Sequence, residues 1–247
     1  MGMWLLLAAT ASATWSIVAV DEATSEVGIA GAACGPSAWG IAGLAPGKGV
    51  VAAQGATWPG GRDMATAMLE DERSPSEVRD ALDASDTAPD LRQYGVVALG
   101  ADGLGWTGAD VEGDATVAAG DGYSAQGETL ASIAVVTETE AAFLATVGSP
   151  LDARLVAALE AGAAAGGDAR CAADVASRSA FLYVAKADDR PDDPTVEVRA
   201  DGARAVSRLA ERWADGRHGC HTATGTASLL LSVAGLAALA RRRLTNV

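Results

Sequence analysis

Thr14 is the residue of this 247-residue chain best placed to do chemistry. It follows Ala11-Ser12-Ala13, whose small side chains meet the A-x-A requirement of signal peptidase, with cleavage after Ala13. Cleavage there makes Thr14 a new N-terminus, with hydroxyl and α-amine on one residue. The amine, with an ordinary pKa of about 7.7–8.0, is partly unprotonated at neutral pH and can take the hydroxyl proton as general base. No histidine is then needed. Both histidines, His218 and His221, lie close to the C-terminus, which argues against a Ser-His-Asp triad. The plainer reading is that Thr is tolerated after a leader, and position alone leaves both readings open. Asp121 and Asp168 occupy Gly-flanked segments, where Asp serves turn conformation as readily as a site. Trp39 and Trp58 fall in expected loops, where a ring stacks on a sugar or peptide or simply packs.

The cysteines are Cys34, Cys171 and Cys220, with no C-x-x-C pair, so a structural zinc site or thioredoxin-like motif is not expected. An odd count in an exported chain suits one disulfide and one further thiol. Cys34 and Cys171, both in the globular part, are the candidate pair; two buried free thiols are the equal alternative. His218 and His221 flank Cys220, but three ligand-type residues without a fourth do not make a metal site. No G-x-G-x-x-G opens a helix after a strand and no Walker loop is present, so no nucleotide or other cofactor is expected. A formal charge of −14 excludes a nucleic-acid partner, because phosphate binding needs clustered Lys and Arg.

The two ends read as processing signals. Trp4 to Ala9 is a short apolar run, so residues 1–13 are expected to be a signal peptide, although short and without a basic residue ahead of the run. A start codon placed too far downstream accounts for both features. Residues 14–214 form the expected domain and residues 215–221 a polar stalk with Cys220. Residues 222–247 form an apolar span with a basic tail. From Thr222 to Ala240 no residue is charged, and as a helix this stretch spans about 28 Å, enough to cross a bilayer core. Arg241, Arg242 and Arg243 would stay cytoplasmic, leaving the domain outside. The order Cys220, apolar span, arginine cluster resembles myxobacterial-type C-terminal sorting tails. That resemblance implies export and sorting machinery as partners and retention at the cell surface, with Cys220 as the sorting or lipidation residue.

The elements that must position Thr14 follow from periodicity. Strands are expected at 15–21, 27–33, 49–54, 93–99, 104–107, 116–119, 179–186 and 195–199. Helices are expected at 62–71, from Pro75 with Ser74 as N-cap and Glu77 closing a capping box, at 138–146, at 150–165 capped by Ser149, and at 203–213. Hairpins interleaved with helix pairs do not give βαβ alternation. They fit an α+β fold of two antiparallel sheets packed face to face with helices outside.

From Thr14 to about Trp213 the chain also resembles the bacterial family catalogued as domain of unknown function 1028, grouped with the N-terminal-nucleophile hydrolases. The matching residues are Thr14 to Ala19 with Asp21; Arg92 to Val96 (RQYGV); Trp106 to Gly108; Gly120 to Gly127 (GDGYSAQG); Leu159 to Gly162 (LEAG); and Gly166 to Asp168 (GGD). The resemblance implies a four-layer αββα sandwich with Thr14 as the catalytic nucleophile. It also implies a site lined by Cys34, Asp121, Gln126, Glu128, Asp168, Arg170 and Ser179. The chain departs from the family pattern at three places. Glu128 stands where an Asn usually follows the QG pair. Ala33, Cys34 and Gly35 replace a Ser and a basic or His residue. Arg170 and Cys171 are followed by extra residues before Arg178, Ser179 and Ala180. The expectation is therefore an exported N-terminal-threonine amidohydrolase acting on a small amide- or peptide-like substrate through a covalent acyl-enzyme. The alternative is a surface module of the same fold that binds a ligand or envelope component without catalysis.

Overall fold

The computed structural model describes residues 14–172 and 174–219. The expected signal peptide, Cys220, the apolar span and the basic tail lie outside the described residues. The described residues from Thr14 to Trp213 belong to one compact unit; of the second, beginning at Ala214, only the end of a helix is described.

Ten strands and five α-helices make up the described chain: β1 (Thr14–Asp21), β2 (Glu26–Ala33), β3 (Ala42–Ala45), β4 (Gly49–Gly55), α1 (Pro59–Glu70), α2 (Pro75–Ser85), β5 (Arg92–Ala98), β6 (Leu104–Thr107), β7 (Asp114–Gly120), β8 (Tyr123–Leu130), α3 (Ala134–Ala145), α4 (Leu151–Ala164), β9 (Ser179–Ala185), β10 (Val196–Asp201) and α5 (Ala205–Gly219). The strands form two sheets, ordered β10-β9-β2-β1-β8-β7 and β3-β4-β5-β6, antiparallel throughout. The fold is mixed α+β.

Strand alternation sorts the core. On β1, Trp15, Ile17 and Ala19 point to one face and pack with Phe143 of α3, Leu155 and Leu159 of α4 and Leu209 of α5. Val18 and Val20 point to the other face and meet Ile29, Phe181 and Tyr183 with Val50, Ala52 and Val97 of the smaller sheet. That sheet's opposite face, through Val51, Tyr94 and Val96, packs on Ala65 and Leu69 of α1 and Val78 and Leu82 of α2. The β1–β2 turn is closed by the Asp21 carboxylate, which accepts the Ala23 and Thr24 N–H groups at 2.9 and 3.2 Å.

Helix α2 begins as its sequence signals require. Ser74 Oγ accepts the Glu77 N–H at 3.3 Å, the Glu77 carboxylate accepts the Ser74 N–H at 2.9 Å, and Pro75 takes the first turn. Ser149 does not cap α4: Pro150 is the N-cap, extended at ψ 147°, and no side chain caps the helix. Helix α3 starts at Ala134, ahead of the expected 138, because Val135 and Val136 are buried in its first turn without a capping signal. Helix α5 continues to Gly219, through the first part of the stretch expected to be a stalk. Two strands have no counterpart in the sequence expectation. β3 is four residues of small and apolar type, and β8 (YSAQGETL) carries polar side chains at alternate positions.

Candidate functional site

Thr14 opens β1, flanked by β2 on one side and β8 on the other. Its direct partners are Ala33 and Glu128, and Ala33 in turn faces Ser179 on β9. Directly opposed residues of antiparallel strands share a face, so Glu128, Thr14, Ala33 and Ser179 form one row across four strands. The face is the one turned to the smaller sheet, because Ser16 and Val18, two and four residues on, contact that sheet. Thr14, Glu128 and Ser179 are all buried, and Ser179 Oγ donates to the Gly35 carbonyl at 2.8 Å.

Behind this row lies a hydrogen-bonded polar layer between the sheets. Ser124 Oγ donates to Gln126 Oε1 at 2.9 Å, and Gln126 Nε2 donates to Ser16 Oγ at 2.6 Å. Ser16 Oγ donates to Gln54 Oε1 at 2.7 Å, and Gln54 Nε2 donates to the Thr14 carbonyl at 3.0 Å and to Gln93 Oε1 at 2.7 Å. Gln93 Nε2 reaches Thr107 Oγ1 at 2.7 Å and the Gly127 carbonyl at 2.9 Å. Gly95 makes the space: a Cβ there would lie 2.0 Å from Gln126 Oε1. The sequence singled out Gln126; Ser16, Gln54 and Gln93 it did not assign to the site. Gln93 and Gly95 fall in RQYGV and Ser16 in the opening match, so the signal for these was present.

The loop after α4 brings Asp168 and Arg170 to the same end. Gly167 turns the chain with φ +60°, and a Cβ there would come within 2.6 Å of the Ala176 carbonyl and 2.9 Å of the Trp15 ring. Asp168 is buried; its Oδ2 accepts the Cys34 N–H at 2.5 Å and Arg170 Nη2 at 2.7 Å. Its Oδ1 accepts the Arg170 N–H at 2.9 Å and Nε at 3.1 Å. This pairing raises the Arg170 pKa, against the opposing effect of burial, and keeps the guanidinium charged. Cys34 and Cys171 are joined by a disulfide with Cα atoms 5.5 Å apart, tying the end of β2 to this loop.

Glu128 is the unusual member. It is 1% exposed, and burial pushes its carboxyl up to about 8 from an ordinary 4.5, with nearby Asp168 adding to the rise. The Thr129 hydroxyl, Arg170 and the Gly55 N–H act in the opposite sense. Among the described residues, Glu128 Oε1 has no hydrogen-bond partner. The row thus sets a hydroxyl beside an uncharged carboxylic acid, with a fixed carboxylate–guanidinium pair at its edge.

Asp121 is not brought to this row. It is exposed in the β7–β8 turn, at the end of β8 opposite Glu128. Trp39 has Arg199 over its ring at 5.3 Å and borders a cleft of about 590 Å³ between α1, β3 and the β9–β10 connection, which none of the residues of the Thr14 row lines. Trp58 is the N-cap of α1 and packs against the core of the smaller sheet. Among the described residues no group of His, Cys, Asp and Glu could hold a metal ion, and no helix is long and apolar enough to cross a membrane.

Comparison with curated proteins gives no match. Among solved structures, the chain is similar to the crystal structure of protein SPO2555 from Silicibacter pomeroyi, itself assigned to DUF1028. The TM-score is 0.71 at 23% identity over 83% of this chain and 89% of that one, which shows a shared fold. The model of the family of unknown function DUF1028 matches residues 14–208, beginning at the first residue of β1. By that match, over most of its length, the chain belongs to the DUF1028 family.

Proposed function

We propose that the chain is an exported N-terminal-threonine hydrolase of amide bonds, built on the four-layer αββα sandwich of the N-terminal-nucleophile type. The observation that carries this reading is the position of Thr14. It is the first residue of a central strand, on the face between the sheets, in a row with Glu128 and Ser179 and beside the Asp168–Arg170 pair. The three apolar clusters support the layer order, since each sheet packs one face on helices and the other on its neighbour. The Cys34–Cys171 disulfide supports an oxidising destination. The tail from Cys220 onward would then hold the domain at the cell surface.

In the reaction, the freed Thr14 α-amine takes the Oγ proton as Oγ bonds to the acyl carbon of a small amide or peptide. The same proton passes to the leaving nitrogen as the C–N bond breaks, which leaves an ester on Thr14. Water, deprotonated by the amine, then cleaves that ester and restores the hydroxyl. A second reading is favoured by Glu128 and by the disulfide at the rim: a binding module that has kept the fold without catalysis. Sequencing the N-terminus of the mature protein and treating it with an acylating probe separates the two. A chain that begins at Thr14 and is labelled there, with labelling lost in Thr14→Ala, supports the hydrolase. Labelling unchanged in Thr14→Ala refutes it, and a free but unreactive Thr14 supports the binding module.

A further inference from the structure

Four buried side-chain atoms have no hydrogen-bond partner among the described residues: Trp15 Nε1, Tyr94 OH, Arg154 Nε and Glu128 Oε1. Only Glu128 belongs to the Thr14 row, and its protons can be assigned. Thr129 Oγ1 lies 3.1 Å from the Glu112 carbonyl oxygen and 3.0 Å from Glu128 Oε2. Both oxygens accept from Thr129, so the single hydroxyl proton is shared between them. Glu128 Oε2 is thus already an acceptor, so the proton of a neutral Glu128 belongs on Oε1. A neutral acid fits the burial that raises this carboxyl to about 8. Oε1 is left as an O–H donor without an acceptor among the described residues.

We propose that the missing acceptor is the α-amine created when the chain is cut before Thr14, and that Glu128 is the positioning residue for that amine. The inference rests on the processing assumed under the proposed function. In the uncut chain the Thr14 nitrogen is an amide, which cannot take up a proton. In the cut chain the acid and the new amine are on directly paired residues, whose Cβ atoms are about 4.5–5.5 Å apart. The Oε1–H bond breaks, an N–H bond forms, and a carboxylate–ammonium pair replaces two neutral groups with no change in net charge. The other charged groups facing Glu128 are Asp168 and Arg170, which are bound to each other. From β4 comes only the Gly55 N–H, and Cys34 at the end of β2 is held in the disulfide. Glu128 therefore sets the state of the amine.

An opposite charge within about 4–6 Å raises an amine by about 1–3 pH units, so with Glu128 ionised against it the Thr14 amine should titrate at about 9 or higher instead of about 7.7–8.0. At pH 7 the free base is then about tenfold scarcer, and reaction at Thr14 is displaced to alkaline pH. The test uses the chain from Thr14 to Val247, freed from a cleavable leader, as wild type and Glu128→Gln. The α-nitrogen chemical shift of threonine-labelled protein is titrated, and acylation of Thr14 is followed from pH 6 to 10. The proposal expects a wild-type amine at about 9 or above that falls to about 8 in Glu128→Gln. It also expects acylation about tenfold faster in the variant at pH 7, with the two rates converging at pH 10. A wild-type amine at 8 or below overturns it even if Glu128→Gln does not fold, because that measurement needs no variant. Normal acylation with an unshifted amine would sink this inference and leave the nucleophile standing. A raised amine with no acylation in either protein would do the reverse.

Discussion

Replacing Glu128 by Gln in the uncut chain should make the protein more stable, increasingly so as the pH rises. Gln has the same length and volume but does not ionise. In the wild type the carboxyl titrates at about 8 in the folded chain against 4.5 ordinarily, because burial disfavours its charged form. The native state therefore binds this proton more tightly than the unfolded state. The associated stability is fully present below pH 4.5, declines as the pH rises, and is gone above about 8. At 1.36 kcal/mol per pH unit, the loss reaches about 3 kcal/mol at pH 7 and about 5 kcal/mol at pH 9. For a domain near 200 residues that corresponds to about 10–20 °C in Tm at pH 9. Asp86, held low by its hydrogen bonds with Arg92, contributes in the opposite sense at acid pH, but equally in both proteins. The measurement is denaturant unfolding of wild type and variant, with the leader retained, at half-unit steps from pH 5 to 9. Curves that stay parallel within about 0.5 kcal/mol across that range would refute the claim that Glu128 is buried and neutral.

Opening the Cys34–Cys171 bridge, by a dithiol reductant or by Cys34→Ser with Cys171→Ser, should cost about 2–5 kcal/mol, since it closes a loop with a sequence separation of 137. Urea unfolding with and without reductant reads this, and coincident curves would show that the bond does not constrain the unfolded chain. Gly95→Ala should destabilise by about 2–4 kcal/mol, because its Cβ would sit 2.0 Å from Gln126 Oε1 and drive Gln126 off Ser16 and Ser124. Adding Gln126→Ala should relieve the clash, so the two substitutions should be clearly non-additive in a double-mutant cycle; strict additivity would place Gln126 elsewhere.

The parts of the fold legible in the sequence are those whose signals are local. The β1–β2 hairpin is announced by two runs of small and β-branched residues around an Asp turn, and α2 by Ser74, Pro75 and Glu77. β8 was not legible as a strand. Its alternation has the right period, but the side chains facing the smaller sheet are Ser124, Gln126 and Glu128, which read as surface. The site shows the same division. Thr14 stands out through its cleavage context, and the resemblance drew attention to Glu128, Asp168 and Arg170. That Glu128 is the direct partner of Thr14 follows only from strand register. That Asp168 anchors a main-chain N–H 134 residues away follows only from the loop's path. A carboxylate between Gly167 and a turn has the same local sequence whether it is solvated or buried.

The polar layer between the sheets explains why that register holds. Burying Ser16, Gln54, Gln93, Ser124 and Gln126 is tolerable only because each finds partners, and those partners lie on strands of both sheets. A slip of β8 by one residue against β1 would turn Ala125 and Gly127 toward the smaller sheet. It would drive Gln126 and Glu128 into the apolar layer formed by Trp15, Phe143 and Leu159. Such a slip would also leave Gln54 and Ser16 without their bonds. Two sequence blocks far apart, RQYGV and GDGYSAQG, are therefore halves of one device: the first supplies Gln93 and the space at Gly95, the second supplies the Gln126 that fills it. Whatever chemistry Thr14 performs, Glu128 faces it because the glutamines behind both residues allow no other alignment.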